Sequence, residues 1–179
     1  MNDHIDLHPL KYPLGEFEPP KEVTQNDIER WIQEIQIFPG NLRRTIEKLS
    51  EKQLSAPYRP GGWQVRQLVH HVCDSHLNAY IRFKLTLTED QPTIKPYDQT
   101  RWAELPDNDK IPIGDSLDFL ELLHKRWVIL LKALQPEDFE RQLNHPESGV
   151  HSLKRYLGLY AWHGNHHLAH ITGALQRSP

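Results

Sequence analysis

The stretch "LKRYLGLYAWHGNHHLAHITGALQR", residues 153–177, has the length and spacing of an amphipathic helix. Its apolar residues recur three or four positions apart, which is the period of a helix that buries one face. Ser152 stands just before it as a helix cap. Ten consecutive residues of this segment, "WHGNHHLAHI" at 162–171, contain four of the chain's 12 histidines. The sequence therefore predicts a long, partly buried helix that carries a histidine cluster.

Three further segments show the same helical period. The first predicted helix begins at Thr24, which resembles the start of a capping box with Asp27. Pro39-Gly40 is expected to kink or divide this helix, because proline removes a helical hydrogen bond. After a loop at "PYRPGGW", the second predicted helix runs through residues 63–89. The third is "DSLDFLELLHKRWVILLKAL", with Asp115 or Ser116 as its N-cap.

The segments between these helices complete the predicted architecture. Residues 89–114 contain four prolines and form a long connection, with a turn of helix near Trp102. Residues 139–151 are expected to form a small excursion or hairpin. Residues 1–22, also with four prolines, predict an extended arm ahead of one domain over residues 23–179. The fold class is all-α, a four-helix bundle with a long crossover between its second and third helices.

Composition excludes several classes of function. The chain has 179 residues, of which 37% are hydrophobic and 25% charged, and its net charge is −3. This balance carries no basic footprint for nucleic acid. The sequence shows no signal peptide and no apolar run of the roughly 18 residues that cross a membrane. The single cysteine, Cys73, cannot form an internal disulfide and fits a reducing cytoplasm, so we expect a soluble cytoplasmic protein.

Helical geometry separates the four histidines of the last predicted helix. At about 100° per residue, His163 and His167 border the apolar arc, His170 is marginal and His166 points furthest away. Residues four apart lie above one another on a helix face, so His163 and His167 could bind one metal ion together. The residues between them include no glutamate, so this pair has no adjacent general base.

The second predicted helix offers a third metal ligand. One line along it is polar and consists of His71, Ser75, Asn78 and Arg82. His76 lies inside the apolar arc and competes with His71 on geometry alone, whereas His70 is expected at the surface. Cys73 falls on the opposite side from His71 and is interpreted as an inert buried thiol. The spacing therefore leaves the third ligand open between His71 and His76.

Other histidines and tryptophans receive structural interpretations. The tryptophans expected in the core or a pocket wall are Trp102, Trp127 and Trp162. His4 and His8 on the arm are expected to be incidental. The histidines without an identifiable partner are His124, His145 and His151.

The combination of "PYRPGGWQVRQLVHH" with "WHGNHHLAHI" resembles the DinB-like superfamily, and its YfiT-type branch of metal-dependent hydrolases in particular. The segments "YPLGEF", "SHLNAYIRFKL" and "KPYDQTRW" also fit, so the resemblance covers most of the chain. It implies a four-helix bundle with one divalent metal ion, zinc or nickel, held by three histidines. Homodimers are common among such proteins.

The resemblance also assigns residues. The ligand on the second helix stands eight residues after the tryptophan of a W-x-x-R motif, which Trp63 and Arg66 place at His71. The H-x-x-x-H pair of the last helix corresponds to His163 and His167. Where many relatives have glutamine, this chain has His170, which then supports a ligand or shuttles a proton.

Three functions follow from such a site. The first is a hydrolase acting on a small molecule, because bound Zn²⁺ lowers the pKa of its water to about 7. The second is transfer of a low-molecular-weight thiol such as bacillithiol, with Arg82 binding an anionic group of that cofactor. An ordinary salt bridge is the alternative role of Arg82. The third function is a non-catalytic metal-binding bundle. Asp74 is a weaker candidate than His170 for proton transfer.

Overall fold

Four helices of more than twenty residues form the framework of the protein. The computed structural model describes residues 6–177. Its elements in chain order are α1 (His8–Lys11), α2 (Gln25–Ile46), α3 (Glu51–Leu54), α4 (Val65–Thr88), α5 (Gln99–Ala103), α6 (Pro106–Lys110), α7 (Ile113–Ala133), a 3₁₀ helix (Pro136–Glu140), β1 (Gln142–His145), β2 (Gly149–Ser152) and α8 (Leu153–Arg177). The predicted all-α bundle is confirmed, and the predicted hairpin is the antiparallel pair β1–β2. Across this range, no helix has both the length and the apolar character that crossing a bilayer demands.

Each long helix packs on two others. α2 packs against α7 and α8, and α4 packs against the same two helices. Helices α2 and α4, which are consecutive among the four long helices, therefore occupy opposite corners of the bundle. The crossover between α4 and α7 carries α5 and α6, and both short helices pack on α4. This arrangement places α4, α7 and α8 around a shared interior.

The buried core consists of two apolar clusters, one toward each end of the bundle. The first includes Ile35, Trp127 and Tyr160, and the second includes Phe38 and Leu120. Each fully buried side chain of this size stabilises the fold by about 1.5–3 kcal/mol. Between the clusters lies a set of inward-facing histidines, which we call the histidine layer: His71, His76, His124, His163 and His167.

Pro39 does not divide the first long helix, contrary to the sequence prediction. α2 runs without interruption from Gln25 to Ile46, with Pro39 buried inside it. The missing N–H of Pro39 leaves the carbonyl of Ile35, four residues earlier, without its helical partner. His124 of α7 supplies the replacement, with its Nδ1 2.7 Å from that carbonyl oxygen. The predicted capping box of Thr24 and Asp27 is present.

The N-cap of the third long helix was predicted three to four residues too late. α7 begins at Ile113, with Pro112 as its N-cap. Proline has a backbone suited to a position just before or at the start of a helix. Ser116 lies within the helix, where its Oγ is 2.8 Å from Nδ1 of His70, so its side chain does not cap the helix.

The N-terminal segment lies along α8. Residues 6–24 contain one turn of helix, α1, which the prediction of an extended arm did not include. The carbonyl of Lys11 at the end of this turn is close to Nε2 of both His166 and His170, at 3.1 and 3.0 Å. His8 is exposed, and His4 lies outside the described residues. The arm therefore covers part of the histidine-bearing helix.

Gly158 permits the close approach of α2 and α8. A Cβ atom at this position would lie 2.8 Å from the buried ring of Trp31. We predict that Gly158→Ala lowers the free energy of unfolding by about 1–2 kcal/mol, because overpacking outweighs the better helix propensity of alanine. Urea denaturation followed by circular dichroism measures the change.

Gly114 of α7 is the matched control for this substitution. A Cβ atom there meets no heavy atom within 4 Å. Gly114→Ala should therefore leave stability unchanged or raise it by up to about 1 kcal/mol. Equal stability of the two variants would contradict the packing argument.

Candidate metal centre

Three histidines from two helices converge in the bundle interior. His71 projects from α4, and His163 and His167 project from consecutive turns of α8. The Nε2 atom of His163 lies 3.4 Å from Nε2 of His71 and 3.2 Å from Nε2 of His167. One ligand atom from each of the three residues falls within 4.8 Å of the other two. This is the cluster that could hold a metal ion.

The distances within this cluster suit a small divalent cation. Zinc binds histidine nitrogen at about 2.0–2.1 Å, and tetrahedral geometry then separates two ligand nitrogens by about 3.4 Å. The two Nε2–Nε2 separations of 3.4 and 3.2 Å agree with that spacing. Imidazole nitrogens suit zinc and nickel alike, and three of them leave coordination positions for other ligands.

Burial keeps these rings neutral, which is the form that binds metal. It lowers the pKa of His71 to about 4. The pKa values of His163 and His167 are also held well below their usual range, first by burial and then by the neighbouring histidines. A neutral imidazole has one lone pair that can be given to a metal ion.

His163 is backed by two further buried histidines. Its Nδ1 lies 3.2 Å from Nε2 of His76. The Nδ1 of His76 in turn lies 2.8 Å from Nε2 of His124. The remaining nitrogen of His124 faces the carbonyl of Ile35. A continuous path of short contacts thus runs from α2 through α7 and α4 to α8.

His167 is backed by the N-terminal arm. Its Nδ1 lies 3.3 Å from Nδ1 of His170, whose Nε2 is 3.0 Å from the carbonyl oxygen of Lys11. The carbonyl accepts, so Nε2 of His170 carries the hydrogen and its Nδ1 is free to accept from His167. Both nitrogens of His170 are therefore engaged in holding His167.

The structure separates the competing histidines of α4. His71 joins the three-residue cluster, whereas His76 lies behind His163. His70, expected at the surface, is only 4% exposed. Helix α6 packs on that side of α4, and the ring of His70 is bonded to Ser116. Coverage by a distant part of the chain overrides the prediction from the helical wheel.

Several other expectations about single residues were wrong. His166 was expected to point away from the protein, but the arm covers it and its ring stacks on Trp162 at 4.3 Å. No partner could be identified for His124 from the sequence, and in the structure it contacts His76. His145 accepts from the backbone N–H of Glu147, and His151 contacts Ser148.

Of the three tryptophans, two match their predicted places. Trp127 is fully buried in the core, and Trp162 lines a cavity beside the cluster. Trp102 of α5 is half-exposed and packs against Tyr97, with ring centroids 4.4 Å apart. Cys73 is buried as expected, and burial raises the pKa of its thiol, so it is a poor nucleophile.

A cavity of about 510 Å³ opens beside the cluster. Its walls include two of the three clustered histidines, His163 and His167. The other lining side chains with rings or polar groups are Tyr58, Arg59, Trp63, Gln99, Thr100, Trp162 and His166. Among the described residues that line it, none is a carboxylate, and Arg59 contributes a positive charge to the wall. The volume of the cavity is within the usual range for small-molecule sites.

Arg82 is buried but forms no salt bridge within residues 6–177, so the predicted alternative of an ion pair is wrong for that range. Its Nη2 donates to the carbonyl of Lys95 at 3.1 Å. Its Nη1 makes longer contacts of 3.5 and 3.4 Å with the hydroxyls of Tyr156 and Tyr160. Burial raises the pKa of Tyr156 to about 12, so that hydroxyl is neutral. The guanidinium is thus a buried cation surrounded by neutral acceptors.

Asp74 is a half-buried carboxylate near this part of α4. Burial and the nearby charge of Asp107 raise its pKa to about 6. It does not line the cavity beside the histidines. Asp74 is therefore not placed to exchange a proton with a molecule in that cavity.

The chain belongs to the DinB superfamily, because residues 34–171 match that family. A protein of Bacillus mycoides (strain KBAB4), named "Putative metal-dependent hydrolase", is 56% identical over 168 residues, which is 94% of this chain and 96% of the relative. A Bacillus cereus (strain 03BB102) protein of the same name is 56% identical over 171 residues, covering 96% and 98%. The solved structure of YfiT from Bacillus subtilis, described as "a probable metal-dependent hydrolase with an unusual four-helix bundle topology", matches with a TM-score of 0.92 at 45% identity. That match covers 94% of this chain and 97% of YfiT.

These similarities confirm the predicted family and the bundle. They support a metal-dependent enzyme of the hydrolase type in general terms. From the sequence, His76 was considered only as a competitor of His71 for the third ligand, and His124 was not connected with the histidine cluster. His124 lies on the buried stripe of α7, beside Leu120, Leu123 and Trp127, and that position is the signal that could have indicated its burial.

The buried histidines predict that acid destabilises the metal-free protein. The pKa of His124 is about 4 in the fold, against an ordinary value of 6.5. Between these values the unfolded chain binds more protons, so the free energy of unfolding increases with pH. The contribution of this ring, up to about 3 kcal/mol, is complete above about pH 7 and is lost as the pH falls from about 6.5 to 4. Urea midpoints of chelator-treated protein at pH 7, 6 and 5 measure the decline.

Asp74 supplies the control because its raised pKa acts in the opposite direction. The folded state binds a proton on this carboxyl at a pH where the unfolded state does not, which favours folding as the pH falls toward 4. Asp74→Asn should therefore make the loss of stability in acid steeper. A urea midpoint of the chelator-treated wild-type protein that stays constant between pH 7 and 5 would contradict the predicted destabilisation by acid.

Proposed function

We propose that this protein is a metal-dependent hydrolase of small molecules, with one divalent ion per chain bound by His71, His163 and His167. The observation that carries the proposal is the convergence of their three Nε2 atoms at ligand spacing. The adjacent cavity of about 510 Å³ gives a small molecule access to the same point. Zn²⁺ is the first candidate and Ni²⁺ the second, since imidazole binds both.

A bound zinc ion lowers the pKa of a coordinated water to about 7 and can polarise a carbonyl oxygen. The residues of this chain then hold the ion, orient the substrate and exclude other reactants. Arg59 on the cavity wall offers a positive charge to a substrate with an anionic group. Trp63 and Trp162 offer apolar surfaces on the same wall. Three protein ligands and an open cavity favour this function over a purely structural metal site, which normally has four.

We assign His170 a positioning role and not that of a proton shuttle. Its two nitrogens already face His167 and the carbonyl of Lys11. A partner on the far nitrogen orients a ligating histidine and strengthens its bond to the metal. Neither nitrogen of His170 is then free to exchange a proton with a substrate in the cavity.

Metal binding is the direct test of the three ligands. The wild-type protein should bind one Zn²⁺ per chain, and His71→Ala should weaken binding by about 100-fold or more. Loss of an outer partner alone lowers affinity 10–100-fold, and loss of a ligand removes more. Competition with a chromogenic chelator measures the affinity, and the same titration with Ni²⁺ compares the two metals.

His151→Ala is the control for this titration. His151 lies on β2 and contacts Ser148, outside the cluster. Its removal should leave metal affinity unchanged. Undiminished binding by His71→Ala would refute the proposed ligand set.

A second candidate function is transfer of a low-molecular-weight thiol. The observation that favours it is Arg82, a cation that is only 7% exposed and has neutral partners. Burial of a charge without an opposite charge is unfavourable, so an anionic group of a cofactor such as bacillithiol would be well bound there. Thiols lose their proton on binding zinc, which makes them nucleophiles. Tyr160 connects the two regions, since its ring lies 5.7 Å from that of His163.

Substrate assays distinguish the two functions. Metal-loaded protein is incubated with panels of esters and amides, and separately with a thiol-reactive electrophile with and without bacillithiol. The hydrolase proposal expects turnover of esters or amides without thiol. Turnover only when the thiol is present would reject it in favour of thiol transfer.

The same assay tests Arg82. If Arg82 binds the anionic group of the thiol, Arg82→Met should raise the KM for bacillithiol at least about tenfold, since one hydrogen bond to a charged group is worth about 1.5–3 kcal/mol. Lys84→Met, an exposed change two residues later on α4, is the matched control and should leave KM unchanged. An unchanged KM in Arg82→Met would remove Arg82 from the thiol site.

Assembly and location are the remaining parts of the proposal. We propose a homodimer, as the family resemblance implies. Exposed apolar side chains along one face of α7, Phe119, Leu122 and Ile129, support an interface there, and sedimentation velocity measures the assembly directly. Cys73 is a buried free thiol, which supports a reducing compartment such as the cytoplasm.

A further inference from the structure

The path behind His163 begins with a backbone group that can only accept a hydrogen bond. Pro39 has no N–H, so the carbonyl of Ile35 lacks its helical donor. The Nδ1 atom of His124 lies 2.7 Å from this oxygen. Because a carbonyl has no hydrogen to give, Nδ1 of His124 must carry the hydrogen and donate it.

The hydrogen on Nδ1 determines the next two rings. His124 is neutral, since burial lowers its pKa to about 4, so its Nε2 has a lone pair. That lone pair accepts from Nδ1 of His76 at 2.8 Å. The Nε2 of His76 is then the acceptor, and Nδ1 of His163 is the donor at 3.2 Å. A second proton on His76 or His124 would set N–H against N–H at one of these contacts.

Packing holds the rings of this path in place. The rings of His76 and His124 are nearly parallel, with centroids 4.9 Å apart and planes 14° apart. Trp127 meets both rings edge-on, and Phe38 packs against both from α2. His76 and His124 are 1% and 2% exposed, so water does not compete for their nitrogens.

We propose that His76 and His124 are positioning residues which fix the tautomer of His163, so that its Nε2 lone pair faces His71 and His167. This inference rests on the proposed metal site and assigns two residues that do not bind the ion themselves. The far nitrogen of a metal-binding histidine normally donates to an acceptor, and here the acceptor is relayed by two more rings from a carbonyl on α2.

Zinc affinity of three variants tests this role. His124→Phe keeps a ring of similar shape but removes the acceptor for His76, so the affinity for Zn²⁺ should fall 10–100-fold. His124→Gln retains an amide oxygen that can accept, and it should recover part of the loss. Trp127→Phe disturbs the packing around both histidines but keeps every hydrogen bond of the path, and its zinc affinity should stay within about threefold of wild type.

The tautomers are also measured without any substitution. Nitrogen-15 spectra of the zinc-loaded wild-type protein should show His76 and His124 each with hydrogen on Nδ1 and none on Nε2. Hydrogen on Nε2 of either ring would overturn the proposal. Wild-type zinc affinity in folded His124→Phe would overturn it as well.

The outcomes separate this inference from the metal site itself. Failure of the wild-type protein to bind zinc would refute the proposed function and, with it, the relay. Zinc binding that depends on His71 but not on His124 would refute the relay alone. Circular dichroism and urea unfolding of each variant show whether a change in affinity accompanies a loss of fold.

Discussion

A neutral imidazole carries one N–H and one lone pair, and burial requires a partner for each of them. The centre of this bundle has to meet that requirement for several rings at once, because the histidine layer lies between two apolar clusters. Two series of hydrogen bonds supply these partners for the α8 pair, His163 and His167, and each series ends at a backbone carbonyl. One runs from His163 to Ile35 on α2, and the other runs from His167 to Lys11 on the arm. The Nε2 lone pairs that remain on His163 and His167 then point toward one another, which is unfavourable without a cation between them and favourable with one.

The two series of hydrogen bonds differ in how they are anchored. The Ile35 carbonyl belongs to the interior of a long helix whose surroundings are fully packed. The Lys11 carbonyl belongs to a short surface turn, where it is shared between His166 and His170. Segments with few buried contacts open more readily than core helices. The orientation of His167 thus depends on the docking of the arm, whereas that of His163 depends on the core.

Local sequence patterns were sufficient for the long helices and for the facing pair on α8. Helical spacing alone brings His163 and His167 to one face, but it left His71 and His76 unresolved, and family resemblance was needed to choose His71. The burial of His70 and His166 depends on α6 and on the arm, which return from distant parts of the chain. The partner of His124 lies 48 residues away and its carbonyl acceptor 89 residues away, so no local period could indicate either. The sequence placed Arg82 on the polar line of α4, but only the coordinates reveal that its hydrogen-bond partners are neutral.

Pro39 also bears on protein engineering. A proline in the middle of a helix is usually the first residue a stability redesign replaces, since alanine is favoured there by about 3 kcal/mol. In this chain such a replacement would return an N–H to the carbonyl of Ile35 and so compete with the ring on α7. The carbonyl oxygen of Ile35 therefore affects both the thermal stability of the helix and the orientation of the histidines. A redesign that scores helix propensity alone would consider only the stability.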